Sequence, residues 1–421
     1  MTNPPENLCL ALDGARSGPD ATPLAPAWLW VRHGTVEHLA GHAPPELPPD
    51  TLWVRGGWAI EPLAEAHGHL FLDGAREPEI RARTAALPRQ AALERILAVL
   101  ESYRSLGIAA VRDGGDPHGL ALEATQFANS RPERYAVVLP AGEPVFRRGQ
   151  YGGFLGQGVE TTADAARLLD QNRRRGATHA KILATGLNSL DTPGQVGPVQ
   201  FLPEELLAIA AAARGLALPL MVHANGPLTE VLAASPASVE HGFGCSPADR
   251  QRMATRNIPW VPTLGAWAEL ADHPGVTPDQ VRVVRETDGN HRRDVRDGHA
   301  LGVRIVAGSD AGTPGVAHGR GLLREIERLA AAGLSPEAAL AAATHTSRSL
   351  CQTESHRPLG GLVPGKPAGF VWLAEDPLAN PSTLEQPRGV FLGGTWSPRG
   401  RAGAVAGKSG ITLSVSQCAI F

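Results

Sequence analysis

Lysine is nearly absent from this chain. Only Lys181, Lys366 and Lys408 occur among 39 basic residues, the rest being arginine. A GC-rich coding bias explains the general replacement, so a retained lysine hints at a need for an amine. Cysteine is equally sparse. Cys9, Cys245, Cys351 and Cys418 are scattered with no Cys-x-x-Cys pair, which argues against a thiolate metal site and against a disulfide framework. No apolar run approaches the roughly 18 residues that a membrane-spanning helix needs. The first residues, Met1 to Asn7, have no basic stretch followed by an apolar core, so no signal peptide is expected. These absences point to a reducing cytoplasmic setting. Net charge is also lacking: at -3 there is no electrostatic case for nucleic acid or an anionic membrane as partner.

What remains is ordinary globular material, 43% hydrophobic and 19% charged over 421 residues, enough for one large domain or two smaller ones. Residues 1 to about 60 carry short alternating segments such as Ala27-Trp28-Leu29-Trp30-Val31 between Pro/Gly-rich breaks, the pattern of a small β unit. From about 61 the rhythm becomes strand, loop, helix. Predicted strands precede His67 and lie at 108–112, 135–139, 180–183, 218–222, 238–240, 258–262 and 303–307. Predicted helices lie at 90–106, 163–175, 203–214 and 321–332, with a final helix or two over 336–350. Such alternation implies parallel strands with right-handed crossovers, and eight units of this kind close into an α/β fold, the (β/α)8 TIM barrel. Past about 356 the text is β-like again. The expected organisation is a discontinuous β-sandwich from 1–60 and 357–421 beside a barrel from 61–356, with a Gly/Ala/Ser-rich tail from about Arg399. The 141–161 connection is long and is expected to be a functional loop at the barrel mouth.

Active sites of such barrels sit at the C-terminal strand ends. Strand one ends in His67-Gly68-His69, where alternate residues share a side and Gly68 leaves room between them. Lys181 lies on strand four. His223 ends strand five, His241 strand six and Asp310 strand eight. A single strand-end histidine is usually a half-buried structural residue, but five strands ending in this way are hard to attribute to accident. Four imidazoles and a carboxylate suit Zn²⁺ or a similar ion. Two metals need an anionic bridge, and a lysine amine that has taken up CO2 becomes a bidentate carbamate, chemistry closed to a permanently protonated guanidinium. The bland alternative for Lys181 is a snorkelling or acid-paired lysine.

The set, with Ala180-Lys181-Ile182-Leu183-Ala184-Thr185-Gly186, Val239-Glu240-His241-Gly242, Gly308-Ser309-Asp310-Ala311-Gly312 and the C-terminal Gly361-Leu362-Val363-Pro364-Gly365-Lys366, resembles the amidohydrolase superfamily. The likeness is to its binuclear, carboxylated-lysine form, in the prolidase-like and imidazolonepropionase-like branch. The resemblance implies that His67, His69 and Asp310 bind one divalent metal, His223 and His241 a second, and a carbamate on Lys181 bridges them. It also implies a bridging hydroxide that attacks a polarised carbonyl, with Asp310 passing the proton to the leaving amine. The implied activity is hydrolysis of a C–N amide or peptide-type bond in an N-acyl amino acid or dipeptide-like small molecule, by an enzyme that self-assembles as relatives often do. A lactone or phosphotriester hydrolase on the same metal pair is the alternative. A deaminase would need an acid at Gly226, and a retired, non-catalytic barrel should have lost ligands.

Two departures stand out. Glu65 precedes the histidine pair where many relatives have Asp, with no evident role. Asn225 stands where prolidase-like relatives carry a substrate-binding histidine, which weighs against dipeptide specificity. His318, Tyr151, Arg148 and Asn225 are the substrate-facing candidates. Arg112 and Asp113 read as an internal ion pair at the end of strand two, and His118 and His179 as structural.

Overall fold

The computed structural model describes residues 5–352 and 359–398. The expected tail from Arg399, together with Cys418 and Lys408, lies outside the described residues. The described chain divides into two compact units. One combines the residues up to Pro62, Ser105–Gly107 and those from 359 on. The other takes Leu63–Arg104 and Ile108 onward.

In the smaller unit, Ala27–Arg32 alternates buried and half-buried residues, so Leu29 and Val31 point inward while Trp28 and Trp30 stay on the outer face. It is a central strand of a four-stranded sheet ordered Thr35–Ala40, Ala27–Arg32, Asn7–Leu12, Leu52–Arg55. A six-stranded sheet takes strands from both chain ends: Phe370–Leu373 runs antiparallel to Trp58–Ile60. Leu8, Leu10 and Leu29 of the first sheet and Ala59, Phe370 and Phe391 of the second belong to one apolar core.

The larger unit holds seven parallel strands. Leu63–Gly68, Ile108–Asp113 and Val137–Leu139 form one sheet; Ala180–Leu183, Leu220–Ala224, Ser238–His241 and Trp260–Val261 form the other. All are buried on both faces, as parallel strands covered by helices must be. Backbone hydrogen bonds continue past the sheet edges. Val145 N donates to Lys181 O at 2.9 Å, Trp260 N to Arg304 O at 3.0 Å, and Asp310 N to His67 O at 2.8 Å.

The eighth expected strand, 303–307, is not formed as a strand. Ile305 makes one parallel bridge to Trp260, but Ala307 N donates to Ala342 O, in the later helix Pro336–Ala343, instead of extending the ladder. The 336–350 stretch, expected as a final helix or two, forms two. It splits into Pro336–Ala343 and Arg348–Cys351, because Thr344 leaves helical geometry and turns its hydroxyl back to Leu340 O. The expected helices at 90–106, 163–175, 203–214 and 321–332 form within a residue of those bounds. In Arg89–Ser105 the buried set Ala92, Leu93, Ile96, Leu100 and Tyr103 follows the helical period. Among the described residues no helix is long and apolar enough to cross a membrane, and the three cysteines there are buried and unpaired.

Candidate metal centre

His67, His69, Lys181, His223, His241 and Asp310 all come together, Lys181 from within its strand and the others at or just past the ends of theirs or of the 303–307 segment, and each is at most 8% exposed. His67 and His69 lie on one side of their strand, as the two-residue spacing requires. Asp310 Oδ1 is 3.4 Å from His67 Nε2 and 3.3 Å from His69 Nε2, and these three residues form a group that could hold a metal ion. The rings of His223 and His241 are 4.5 Å apart, and His241 is 5.0 Å from His67. Lys181 Nζ is 3.0 Å from His67 Nε2. The room around the histidine pair does not come from Gly68, whose added Cβ would meet only ordinary contacts from 3.5 Å. It comes from Gly114, where a Cβ would fall 2.4 Å from the His69 ring.

Every imidazole is oriented by a partner on Nδ1. His67 Nδ1 donates to Glu240 Oε2 at 2.8 Å, and His69 Nδ1 faces Gly115 O at 3.4 Å. His241 Nδ1 meets Thr263 Oγ1 at 2.7 Å, and that hydroxyl donates to Pro262 O, so it must accept from the ring. His223 hydrogen-bonds the Gly186 carbonyl. Acceptor-only partners put the proton on Nδ1 and leave each Nε2 lone pair facing its neighbours. Burial drives all four imidazoles well below their usual range, with the Lys181 charge adding to the shift; His69 and His223 fall to about 3. A neutral His67 makes its contact with Glu240 a hydrogen bond rather than an ion pair.

The same burial pushes Asp310 up to about 6 and Lys181 down to about 8. His223 Nε2 and Asp310 Oδ1 are buried without any hydrogen-bond partner. Orphaned lone pairs of this kind are costly unless something electropositive fills the space between them. Neutral nitrogens, a carboxylate and a buried amine form a donor set that fits divalent cations. Two of the donors are also backbone outliers: His241 has φ +66° and Asp310 φ +59°. Left-handed geometry at a residue other than glycine costs about 1–2 kcal/mol and tends to collect at functional sites.

The groups around this cluster are the part that sequence reading missed. Glu240, the residue before His241, takes hydrogen bonds from His67, Arg112 Nη2 at 2.7 Å and Ser238 Oγ. Arg112 therefore does not pair with Asp113. Its Nε holds Ala66 O at 2.8 Å, while the Asp113 carboxylate accepts the Leu70 and Gly115 N–H groups. Glu65 acquires a role too: it accepts from Ser309 N at 2.8 Å and Ser309 Oγ at 2.5 Å, tying the first strand to the residue before Asp310.

The substrate-facing candidates divide. Tyr151 stands beside His223 at 5.3 Å between ring centres and lines a cavity of about 530 Å³ that reaches His223, His241 and Asp310. Asn225 lines it as well, but its side chain is engaged: Oδ1 accepts from Phe243 N and Nδ2 donates to Gly186 O. Arg148 points to solvent and pairs with Glu160, away from the cavity. His318 is not a cavity residue, because both its nitrogens are spent, Nε2 on Leu72 O at 2.9 Å and Nδ1 on the Tyr103 hydroxyl at 3.2 Å. His179 is buried with Nε2 on Asp113 O, a structural role.

No curated protein matches the sequence. Solved structures do match in fold. A Xaa-Pro dipeptidase with bound methionine superposes with TM-score 0.79 at 20% identity, covering 93% of this chain and 100% of that one. The A. niger ochratoxinase gives 0.75 at 19%, covering 93% and 95%. Molinate hydrolase gives 0.73 at 18%, covering 94% and 95%. At such identities the likeness carries the fold, a TIM-barrel-type α/β architecture. The sequence also matches the Amidohydrolase family over residues 88–397, a span that begins after His67 and His69 but takes in Lys181, His223, His241 and Asp310. The chain belongs to the amidohydrolase family and is a hydrolytic enzyme acting on carbon–nitrogen bonds.

Proposed function

We propose that this chain hydrolyses an amide or peptide-type bond of a small N-acyl amino acid or dipeptide-like substrate, using two divalent cations, with zinc the natural candidate. The observation that carries the reading is four buried imidazoles gathered round Lys181 and Asp310, with His223 Nε2 and Asp310 Oδ1 buried and unpartnered. In this reading His67, His69 and Asp310 would hold one cation and His223 and His241 the other, and Lys181, as a carbamate, would supply the anionic group between them. Support for the carbamate is positional: Lys181 is 2% exposed, sits among the histidines and has no carboxylate hydrogen-bonded to it among the described residues. For the barrel, the backbone bonds from Val145 to Lys181, Trp260 to Arg304 and Asp310 to His67 support closure of the two sheets through the segments at Val145 and 303–310.

Bound cations would supply a water acidified towards neutral pH and would polarise the scissile carbonyl. Asp310 then accepts the proton that leaves the attacking water and delivers it to the amide nitrogen. As the C–O bond forms, the C–N bond breaks, and the products are a carboxylic acid and an amine. Glu240, Thr263, Gly115 and Gly186 hold the imidazoles in place throughout.

The test combines elemental analysis with a panel of N-acyl amino acids, dipeptides, lactones and phosphotriesters. Two divalent ions per chain and amide hydrolysis that disappears on chelation and returns with Zn²⁺ are expected. Metal-replete protein that cleaves only lactones or phosphotriesters, or nothing, would refute the proposal.

A further inference from the structure

Five aromatic rings stand along the cavity beside the cluster. Phe71, Tyr151, Phe154, Phe243, Trp267 and Leu270 line it. Two of these walls are rigid. Phe243 stacks on His291 at 3.7 Å between ring centres, and Trp267 Nε1 is tied to Val284 O at 3.1 Å, so neither ring needs a polar partner from a ligand. Phe154, by contrast, is 47% exposed, an aromatic side chain left at the opening without burial. A surface of this kind recovers its exposed apolar area only when an apolar group enters.

Several polar groups on the walls are occupied. The Asn225 amide is committed, and Asp73 accepts from Ala75 N and the Thr84 hydroxyl. Arg81 is different. Its Nη1 reaches the carbonyls of Ala75 and Arg76 and the ring of His273, but no carboxylate lies within ion-pair distance among the described residues. It is a half-buried guanidinium at the cavity wall with its charge uncompensated, and a planar fork of this kind suits a carboxylate.

Resting on the amide-hydrolysis reading, we infer that the substrate is an amide with an aromatic or bulky apolar group and a free carboxylate: the ring-lined wall takes the apolar group and Arg81 takes the carboxylate. Arg81 is then a specificity residue, which acts on substrate binding and leaves bond cleavage to Asp310.

Three amides test this: N-benzoyl-phenylalanine, N-benzoyl-phenethylamine, which lacks the carboxylate, and N-acetylglycine, which lacks the rings. The first should exceed N-acetylglycine by about 100-fold in kcat/KM and the phenethylamine by about 10-fold, mostly through KM. Arg81→Met should erase the second difference by weakening only the acid, Arg81→Lys should restore part of it, and Phe154→Ser should raise KM for the ring-bearing pair alone. Comparable kcat/KM for all three amides, or an equal loss on the acid and its decarboxylated analogue in Arg81→Met, would overturn the inference and leave amide hydrolysis standing. If no amide is cleaved, the amide-hydrolysis reading fails by itself. Calorimetric binding of the uncleavable N-benzenesulfonyl-phenylalanine then decides the subsite: a ten-fold loss of affinity in Arg81→Met upholds it, and an unchanged affinity overturns it.

Discussion

Glu240 uses both carboxylate oxygens inside the protein, one on His67 and one on Arg112 and Ser238. Replacing it by Gln leaves shape intact but puts an amide where Nδ1–H needs an acceptor and Arg112 needs a counter-charge. Metal affinity in Glu240→Gln should fall about 10–100-fold, read as metal retained after dialysis against graded chelator, while circular dichroism stays unchanged. Asp310→Asn keeps a metal-ligating oxygen but cannot accept the proton, so kcat should fall about 10²–10⁴-fold with KM little moved. An Asn variant with parental kcat would remove Asp310 from the proton path. The donors themselves were legible because each follows an apolar strand core directly. Their supports were not: Glu240 is 173 positions from His67 and 128 from Arg112, and no local pattern announces such a pair. Nearness in sequence suggested Arg112 with Asp113, but neighbouring strand residues point to opposite faces.

At the scale of elements, the longest helix among the described residues, Pro278–Ala300, escaped the sequence reading. Its surface is polar, and its inner stripe, Val283, Val284, Thr287, His291 and Val295, is thin and includes a histidine. Its start is nonetheless written locally in the Thr277–Gln280 capping box. His291 pins this helix to the cavity wall, stacked on Phe243 with Nε2 donating to Pro262 O. Burial lowers its ionisation from 6.5 to about 4. The folded protein thus resists protonating a group that the unfolded chain protonates freely. The contribution is intact above pH 6.5 and is lost as pH falls towards 4, amounting to about 3 kcal/mol. In urea unfolding, His291→Phe should be less stable than the parent at pH 7, and that gap should shrink by about 3 kcal/mol on going to pH 4. A gap that is constant with pH would contradict the assignment. The loop over 141–161 was singled out by length alone, and Tyr151 and Phe154 from it do line the cavity.

For the molecule as a whole, the cluster is a stability liability until it is filled, since buried orphan lone pairs disfavour the folded state. Cations that bind only the folded chain stabilise it by about 2.7 kcal/mol at a hundred times Kd. Chelation should then lower the melting midpoint by about 5 °C, and adding Zn²⁺ back should restore it. A midpoint indifferent to chelator would argue against a metal centre here. The sequence by itself determined the alternation of strands and helices, the strands whose ends carry ligand-type residues, and the family, because apolar periodicity and strand-end chemistry are local patterns. Only the tertiary structure decided which nitrogen of each histidine is free and that Glu65 binds Ser309. It also decided that 303–307 makes one bridge rather than a strand, and that Arg148 and His318 face away from the cavity. Those outcomes depend on hydrogen-bond partners far apart along the chain, and a buried donor or acceptor takes whichever partner the packing brings within reach.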